Sequence, residues 1–351
     1  MAAILIGAIG SAGADEARGI RDCFPSWRAV ATAGMPRDIA AVAARSSRDV
    51  WAVGPRRFSD ISQKLAVVHW DGRRLTVNYP FGFRAGVADL SAVIALSPND
   101  AWAVGSHTGK ALLAHWDGIR WQIVHIPALE GNTALAGITA ISHTNMWAVG
   151  DRSAGLIDRP LSIHWDGRVW HVVNIRRRGE FYAVDGTSAN DVWAVGDDAS
   201  PTINDVDALA MHWNGHSWDT VATPAPDDSD LGYEADDRFD EVDAVTATDA
   251  WAVHSGDVSS DVQHWDGRAW SVVRRWRRTD INAIVADPRE GVWAVGGSRH
   301  PMIVQRRARG WADATPLNLR RLRASLADIA ATSSGELWAA GPRLLARYAC
   351  R

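Results

Sequence analysis

The chain has 351 residues, a formal net charge of -4, two cysteines and nineteen tryptophans against four tyrosines and six phenylalanines. So small a charge gives no global attraction to nucleic acid or to an acidic membrane surface. Length alone would suggest two or three domains, but a repeat running nearly end to end overrides that expectation. At the start, the short apolar run 2–9 is followed by the small residues Ala12, Gly13 and Ala14, then by Asp15 and Glu16. This pattern reads as a secretory signal over 1–14 whose basic start is missing, and the run is too short to span a bilayer. The remainder, 24–350, reads as a single domain.

Seven copies of Trp-Ala-Val-Gly or a close variant begin at Trp51, Trp102, Trp147, Trp193, Trp251, Trp293 and Trp338, in steps of 51, 45, 46, 58, 42 and 45 residues. A second phrase, His-Trp-Asp/Asn-Gly, follows five of them at His69, His115, His164, His212 and His264. All the tryptophans except Trp276 fall on repeat positions. The third copy shows the local pattern. Ile138 to Ile141 is a short first strand, and Ser142 to Asn145 a polar turn. Met146 to Val149 is a second strand ended by Gly150, and Leu161 to Trp165 a third. Asp166-Gly167 is a hairpin signal, since glycine readily adopts positive φ, and Val169 to Val173 is a fourth strand. The strands are rich in β-branched and aromatic residues, and no helical period intervenes.

Four strands per unit of about 45 residues, seven times over, predict an all-β, seven-bladed β-propeller with four-stranded antiparallel blades. A lone blade cannot cover its own faces, so the large indoles are expected to pack between blades. Small residues such as Ala92, Ala140, Ala183 and Ala244 suit innermost strands crowded around an axis. The seventh unit stops at Tyr348, where its third strand should end. The phrase Ser26 to Val30 matches Ala269 to Val273, so the N-terminal strand is expected to close the last blade. Aligning Tyr348 with Trp265 puts Cys350 at a turn glycine, and aligning Trp27 with Trp270 puts Cys23 at a turn aspartate. A Cys23–Cys350 disulfide would replace that turn and contribute about 3–5 kcal/mol on a chain-entropy basis. Export would favour it; two unlinked thiols are the alternative.

The unit Ser-x-x-Asp-x-Trp-Ala-Val-Gly … His-Trp-Asp-Gly-x-x-Trp-x-x-Val resembles the repeats of secreted bacterial β-propeller proteins. It is more distantly similar to Asp-box repeats of bacterial neuraminidases, whose polar turn between the first two strands carries Ser/Thr and Asp. Ser97 with Asp100, Ser188 with Asp191 and Thr246 with Asp249 fit that turn, while the Gly-x-Thr-Trp ending of the Asp box is absent. The resemblance covers about 25–349. It implies a fold, and a propeller fold hosts hydrolases, lyases, lectins and docking scaffolds alike.

The five histidines recur at one third-strand position, away from the axis, so each ring is expected to bond a neighbouring turn or strand and not to gather at a metal. Loops between strands two and three, and between blades, vary in length and emerge on one face, where function is expected. An acidic sector there holds Asp197, Asp198, Asp205, Asp207 and the insertion 226–237. Asp228, Asp230 and Gly232 partly match a calcium loop, but the remaining spacing is wrong. A basic set comprises Arg176 to Arg178, Arg274 to Arg278 around Trp276, and Arg320, Arg321 and Arg323. An indole stacks on sugar faces and guanidinium forks hold carboxylate or sulfate. Trp276, Arg275, Arg277, Arg176 and Arg177 are therefore the candidate ligand-binding residues; the alternative is that Trp276 packs under its loop while the arginines are solvated or pair with the acidic loops.

No catalytic residue, metal ligand or cofactor motif is assigned from the sequence. The reading is a monomeric, exported bacterial binding module for an extracellular glycan or protein, without nucleic-acid or membrane partners. The alternative is a polysaccharide hydrolase or lyase using carboxylates of the variable-loop face, and a rim-docking scaffold is a third reading.

Overall fold

In the computed structural model the described residues are 26–54, 65–83, 87–153, 158–199, 206–224, 237–256 and 259–349. They form seven four-stranded antiparallel sheets. The blades span 41–78, 88–123, 132–172, 180–221, 238–277 and 281–313. The seventh combines 328–349 with Ser26–Ala31. In the first six, strand order in the sheet follows chain order, from an innermost to an outermost strand. The seventh takes its outermost strand from the N-terminus, paired as Trp27 with Tyr348 and Ser26 with Ala349. That is the register of Trp270 with Trp265 in the fifth blade, so the seam is closed as the repeat alignment requires. Cys23 and Cys350 lie outside the described residues, as do 1–14.

Each tetrad tryptophan that has an aromatic partner in the next blade reaches its outer strands. Trp51 meets Trp116 and Trp121, Trp102 meets Trp165 and Trp170, Trp147 meets Trp213 and Trp218, and Trp193 meets Trp265 and Trp270. Across the seam Trp293 meets Trp27 and Tyr348, and Trp338 meets Trp70. Trp251 shares its cluster with Trp311 of the sixth blade and lies under the Arg306 guanidinium, 4.8 Å from its ring centre. Edge-to-face aromatic pairs add about 0.5–1.5 kcal/mol each beyond area burial. The same cross-blade joint, repeated around the ring, makes a stack of sheets into one body.

The histidines do bond within their own blades. His69, His115, His212 and His264 place Nε2 2.7–3.0 Å from Oδ1 of Asp49, Asp100, Asp191 and Asp249. His164 uses Asn145 in the same way, at 2.8 Å. The same aspartate oxygen accepts the indole N–H of Trp51, Trp102 and Trp251. The Ser-x-x-Asp turns satisfy their own amides, as Ser97 Oγ does for Asn99 N–H and Ser188 Oγ for Asn190 N–H. Asp166 Oδ1 accepts from the N–H groups of Arg168 and Val169 across the Gly167 hairpin, where φ is +91°.

Strand lengths depart from the sequence expectation. In the third blade the first strand is Asn132–Ser142, the second Asn145–Ser153 and the third Asp158–Trp165, all longer than expected, while the fourth is only Trp170–Val172. Gly150 does not end the second strand; it sits inside it, beside a register shift between Leu135 and Gly137. A Cβ there would lie 2.2 Å from the Ala134 carbonyl oxygen. Glycine is thus needed for close backbone approach and not for termination.

Candidate functional site

The seven innermost strands surround a channel of about 740 Å³, and the small residues Ala92, Ala140 and Ala183 line it. Strand alternation fixes which side chains enter it. Where most blades place Ala, Gly, Ile, Thr or Val opposite the second strand, three blades place acids. Asp185 lies opposite Trp193, Asp243 opposite Trp251, Glu241 opposite Val253 and Asp328 opposite Ala340. All four line the channel.

Three of them also tie neighbouring blades. Asp185 accepts from the Thr139 hydroxyl at 2.8 Å and the Ala244 N–H at 2.9 Å. Asp243 accepts from the Ala286 N–H at 2.6 Å, and Asp328 from the Val42 N–H at 2.7 Å. Burial pushes every one of these carboxyls up, Asp328 to about 7 and Asp243, with the neighbouring Asp185 charge adding to the effect, to about 8. For Glu241, burial comes first and the charges of Asp328, Asp243 and Asp185 follow.

At the variable-loop mouth of the channel the acids continue around Tyr182. The Tyr182 hydroxyl donates to Asp197 Oδ2 at 2.6 Å and to Glu180 Oε2 at 3.2 Å. The Arg238 guanidinium lies 5.7 Å from the Tyr182 ring centre and donates to Asp240 Oδ1 at 2.7 Å. Tyr182 and Asp240 are channel-lining residues. Burial, then the Asp158 charge, pushes Asp151 up to about 6. Burial, then the charges of Asp151, Asp197 and Asp158, pushes Glu180 up to about 7. Asp197 is raised by burial, and the Tyr182 phenol by burial and its bond to Asp197. Several carboxyls that ionise reluctantly, grouped around a phenol that lines the channel, form a site that gains by accepting a cation.

The residues singled out from the sequence lie elsewhere, at two separate junctions between blades. The strand Trp270–Arg277 carries Trp276 out along the edge of the fifth blade. There Trp276 is half-buried, edge-on to Trp311 of the sixth blade at 5.6 Å, with the Arg274 guanidinium 5.6 Å from its ring centre. Arg275 donates to Asp261 Oδ2 at 3.1 Å, and Arg277 is exposed. Arg177 lies between the third and fourth blades, where it bonds Asp198 and the Thr220 hydroxyl; Arg176 beside it is exposed. Trp276 and the Arg176–Arg177 pair are therefore not brought together. Arg320 pairs with Asp313 at 2.8 Å. Asp205 and 226–236, which include the partial calcium loop, lie outside the described residues.

Asp261 is also part of a buried cluster that replaces a repeat glycine. In the fifth blade the tetrad ends in His254, whose Nε2 lies 3.3 Å from Asp237 Oδ1 and Nδ1 3.4 Å from Asp261 Oδ2. Asp261 is fully buried, which would raise it, yet its contacts to His254, Gln263 and Arg275 hold it below the usual carboxylate range. Among the described residues no group of three or more His, Cys, Asp or Glu side chains could hold a metal ion. No helix among them is long and apolar enough to cross a membrane.

No family model matches the sequence, and no curated protein matches it. Solved structures do match in fold. One, described as YCF48 bound to D1 peptide, superposes with a TM-score of 0.63 at 14% identity, covering 93% of this chain and 97% of that one. The WD40 β-propeller domain of Doa1 gives 0.63 at 10% identity over 93% and 97% of the two chains. A streptogramin B lyase gives 0.61 at 12% identity over 93% and 98%. These are β-propeller likenesses, and at such identities they carry the fold alone. The comparisons include a peptide-bound protein and an enzyme on one architecture, so the chemistry of this chain has to be read from its own side chains.

Proposed function

We propose that this protein is a non-catalytic binding module that receives a basic polypeptide segment at the variable-loop mouth of its channel. The observation that carries the reading is the group of Glu180, Asp151 and Asp197 around Tyr182, all pushed up by burial, with the Asp158 charge adding to each. An arriving Lys or Arg side chain would relieve that repulsion and replace lost solvation. A peptide-bound protein of the same fold supports a polypeptide ligand over other cations. The apolar start of the sequence supports a location outside the cell, where the partner would be met.

The test is fluorescence anisotropy with labelled Lys/Arg-rich and Glu-rich peptides. Selective binding of the basic peptide, weakened about tenfold or more in Glu180→Gln/Asp151→Asn, is expected. Equal binding of both peptides, or no effect of the double substitution, would sink the reading.

A second reading rests on one observation. Glu180, raised to about 7, is a carboxyl poised to exchange a proton near neutrality, as a polysaccharide hydrolase or lyase would use. Turnover of any uronic-acid or neutral polysaccharide, abolished by Glu180→Gln, would replace the binding reading with this one.

A further inference from the structure

The outer surface of the ring carries a second feature that the channel mouth does not absorb. Each outermost strand opens with a residue at the Trp218 position. Its counterparts Trp27, Trp121, Trp170 and Trp270 are 3–8% exposed. Connecting segments supply much of that cover. Phe81 packs in the cluster of Trp121, Ile126 and Leu129 in that of Trp170, and Leu319 and Leu322 in that of Trp27. Trp311, likewise half-buried, meets Trp276 from the outermost strand of the preceding blade.

The connection between the third and fourth blades, 173–179, contributes the apolar Val173 and Ile175. It continues as Arg176 and Arg177. Trp218 is only half-buried there, and a groove of about 430 Å³ is left beside it. That volume lies in the range of small-ligand sites, about 300–1,000 Å³. The floor holds Trp213 and Trp218, with ring centres 5.8 Å apart and planes at 55°. Arg177 is fixed on the wall by Asp198 and Thr220, whereas Arg176 is exposed and makes no hydrogen bond or ion pair among the described residues. Asn174, His216 and Ser217 complete the polar rim.

We propose that this groove binds an anionic sugar, a uronate- or sulfate-bearing unit of a polysaccharide. Indoles present a flat apolar surface to the C–H face of a pyranose. Neutral donors and acceptors on the rim suit ring hydroxyls. The Arg176 guanidinium matches a carboxylate or sulfate in forked geometry. A peptide occupant would bring backbone amides, and no exposed strand of matching length lines this groove: the fourth-blade edge there is Trp218–Val221 alone. This site is separate from the channel mouth and stands or falls without it.

Isothermal titration of the full chain with tetragalacturonate, a chondroitin sulfate tetrasaccharide, uncharged maltotetraose and hexa-aspartate tests the assignment. Binding of a charged sugar is expected, weakened about tenfold or more in Arg176→Gln and in Trp218→Phe. If Trp218→Phe does not fold, as judged by its melting transition, the exposed Arg176→Gln alone carries the comparison. Three outcomes overturn the proposal: neither charged sugar binds the native protein; binding is unchanged in Arg176→Gln; or hexa-aspartate binds as tightly as the charged sugars, which would make the groove an acidic-peptide site.

Discussion

Asp328 Oδ2 accepts a hydrogen bond from the backbone N–H of Val42, 2.7 Å away in space and 286 residues away in sequence. The ring is therefore joined on its inner wall as well as by the N-terminal strand on its outer one. Asp328→Ala leaves a part-buried amide without its acceptor, at a cost of about 1–3 kcal/mol. Asp328→Asn keeps an acceptor oxygen. Urea unfolding at pH 5.5 is expected to show a clear loss for the alanine variant and a much smaller one for asparagine.

The same acids set a pH dependence. Asp328 and Asp243 are raised to about 7 and about 8, and Glu241 and Asp185 are raised by burial as well. A carboxyl whose folded pKa exceeds its unfolded value contributes stability below the unfolded pKa and loses it as pH rises through the folded one. The melting temperature is therefore expected to fall between about pH 4 and pH 8. Asp243→Asn should raise the melting temperature at pH 8 and leave it little changed at pH 5. A rising or flat profile, with no difference for Asp243→Asn, would refute this account.

Asp49 is shared by three side chains. It accepts from Trp51 and His69 on Oδ1 and from Arg45 on Oδ2, and is 3% exposed. Burial alone would raise it, but His69 and Arg45 together hold it below the usual carboxylate range. Its stabilisation is present above the unfolded pKa and is lost as pH falls through the folded one. Asp49→Ala is expected to cost about 2–4 kcal/mol at pH 7, combining lost bonds with stranded donors. Asp49→Asn should cost less, because Asn145 already serves His164 in the third blade. Denaturant titration of both variants measures the difference.

Gly150→Ala is expected to destabilise by about 1–3 kcal/mol, since its methyl would press on the Ala134 carbonyl. The converse, His254→Gly, should also destabilise, because it removes the partner that Asp237 and Asp261 share in the core. The two melting curves together test whether the fifth blade has exchanged one local solution for another.

At the channel mouth, Glu180 and Asp151 titrate near 7 and near 6. A cationic peptide favours their ionised forms. Its affinity is expected to rise between about pH 5.5 and pH 8 and to level off above. Anisotropy titrations at several pH values check the slope; an affinity that falls over this window would contradict the proposed contact.

Much of the architecture was readable because the repeat encodes it redundantly. The pairing of Trp27 with Tyr348 followed from aligning each with Trp270 and Trp265, and the histidine bonds followed from their recurring strand position. The channel acids were hidden for the opposite reason. Asp185, Asp243 and Asp328 occupy positions where other blades carry alanine, glycine, isoleucine, threonine or valine, outside the phrases that repeat. Their signal was a charge at an inner-strand position. His254 in place of the tetrad glycine was an equally visible departure. Trp276 stood out for being off the repeat, yet its strand continues far enough to lay it against Trp311, a partner 35 positions later in the chain that periodicity cannot name.

Ser26–Ala31 comes before every other described strand in the chain, and its mate Leu344–Ala349 comes after them. Throughout synthesis the early strand has bare amides and a large indole with nowhere to dock, while six sheets form behind it. Closure of the ring therefore waits for the last described strand, and a chain without Leu344–Ala349 would keep the Ser26–Ala31 edge unpaired.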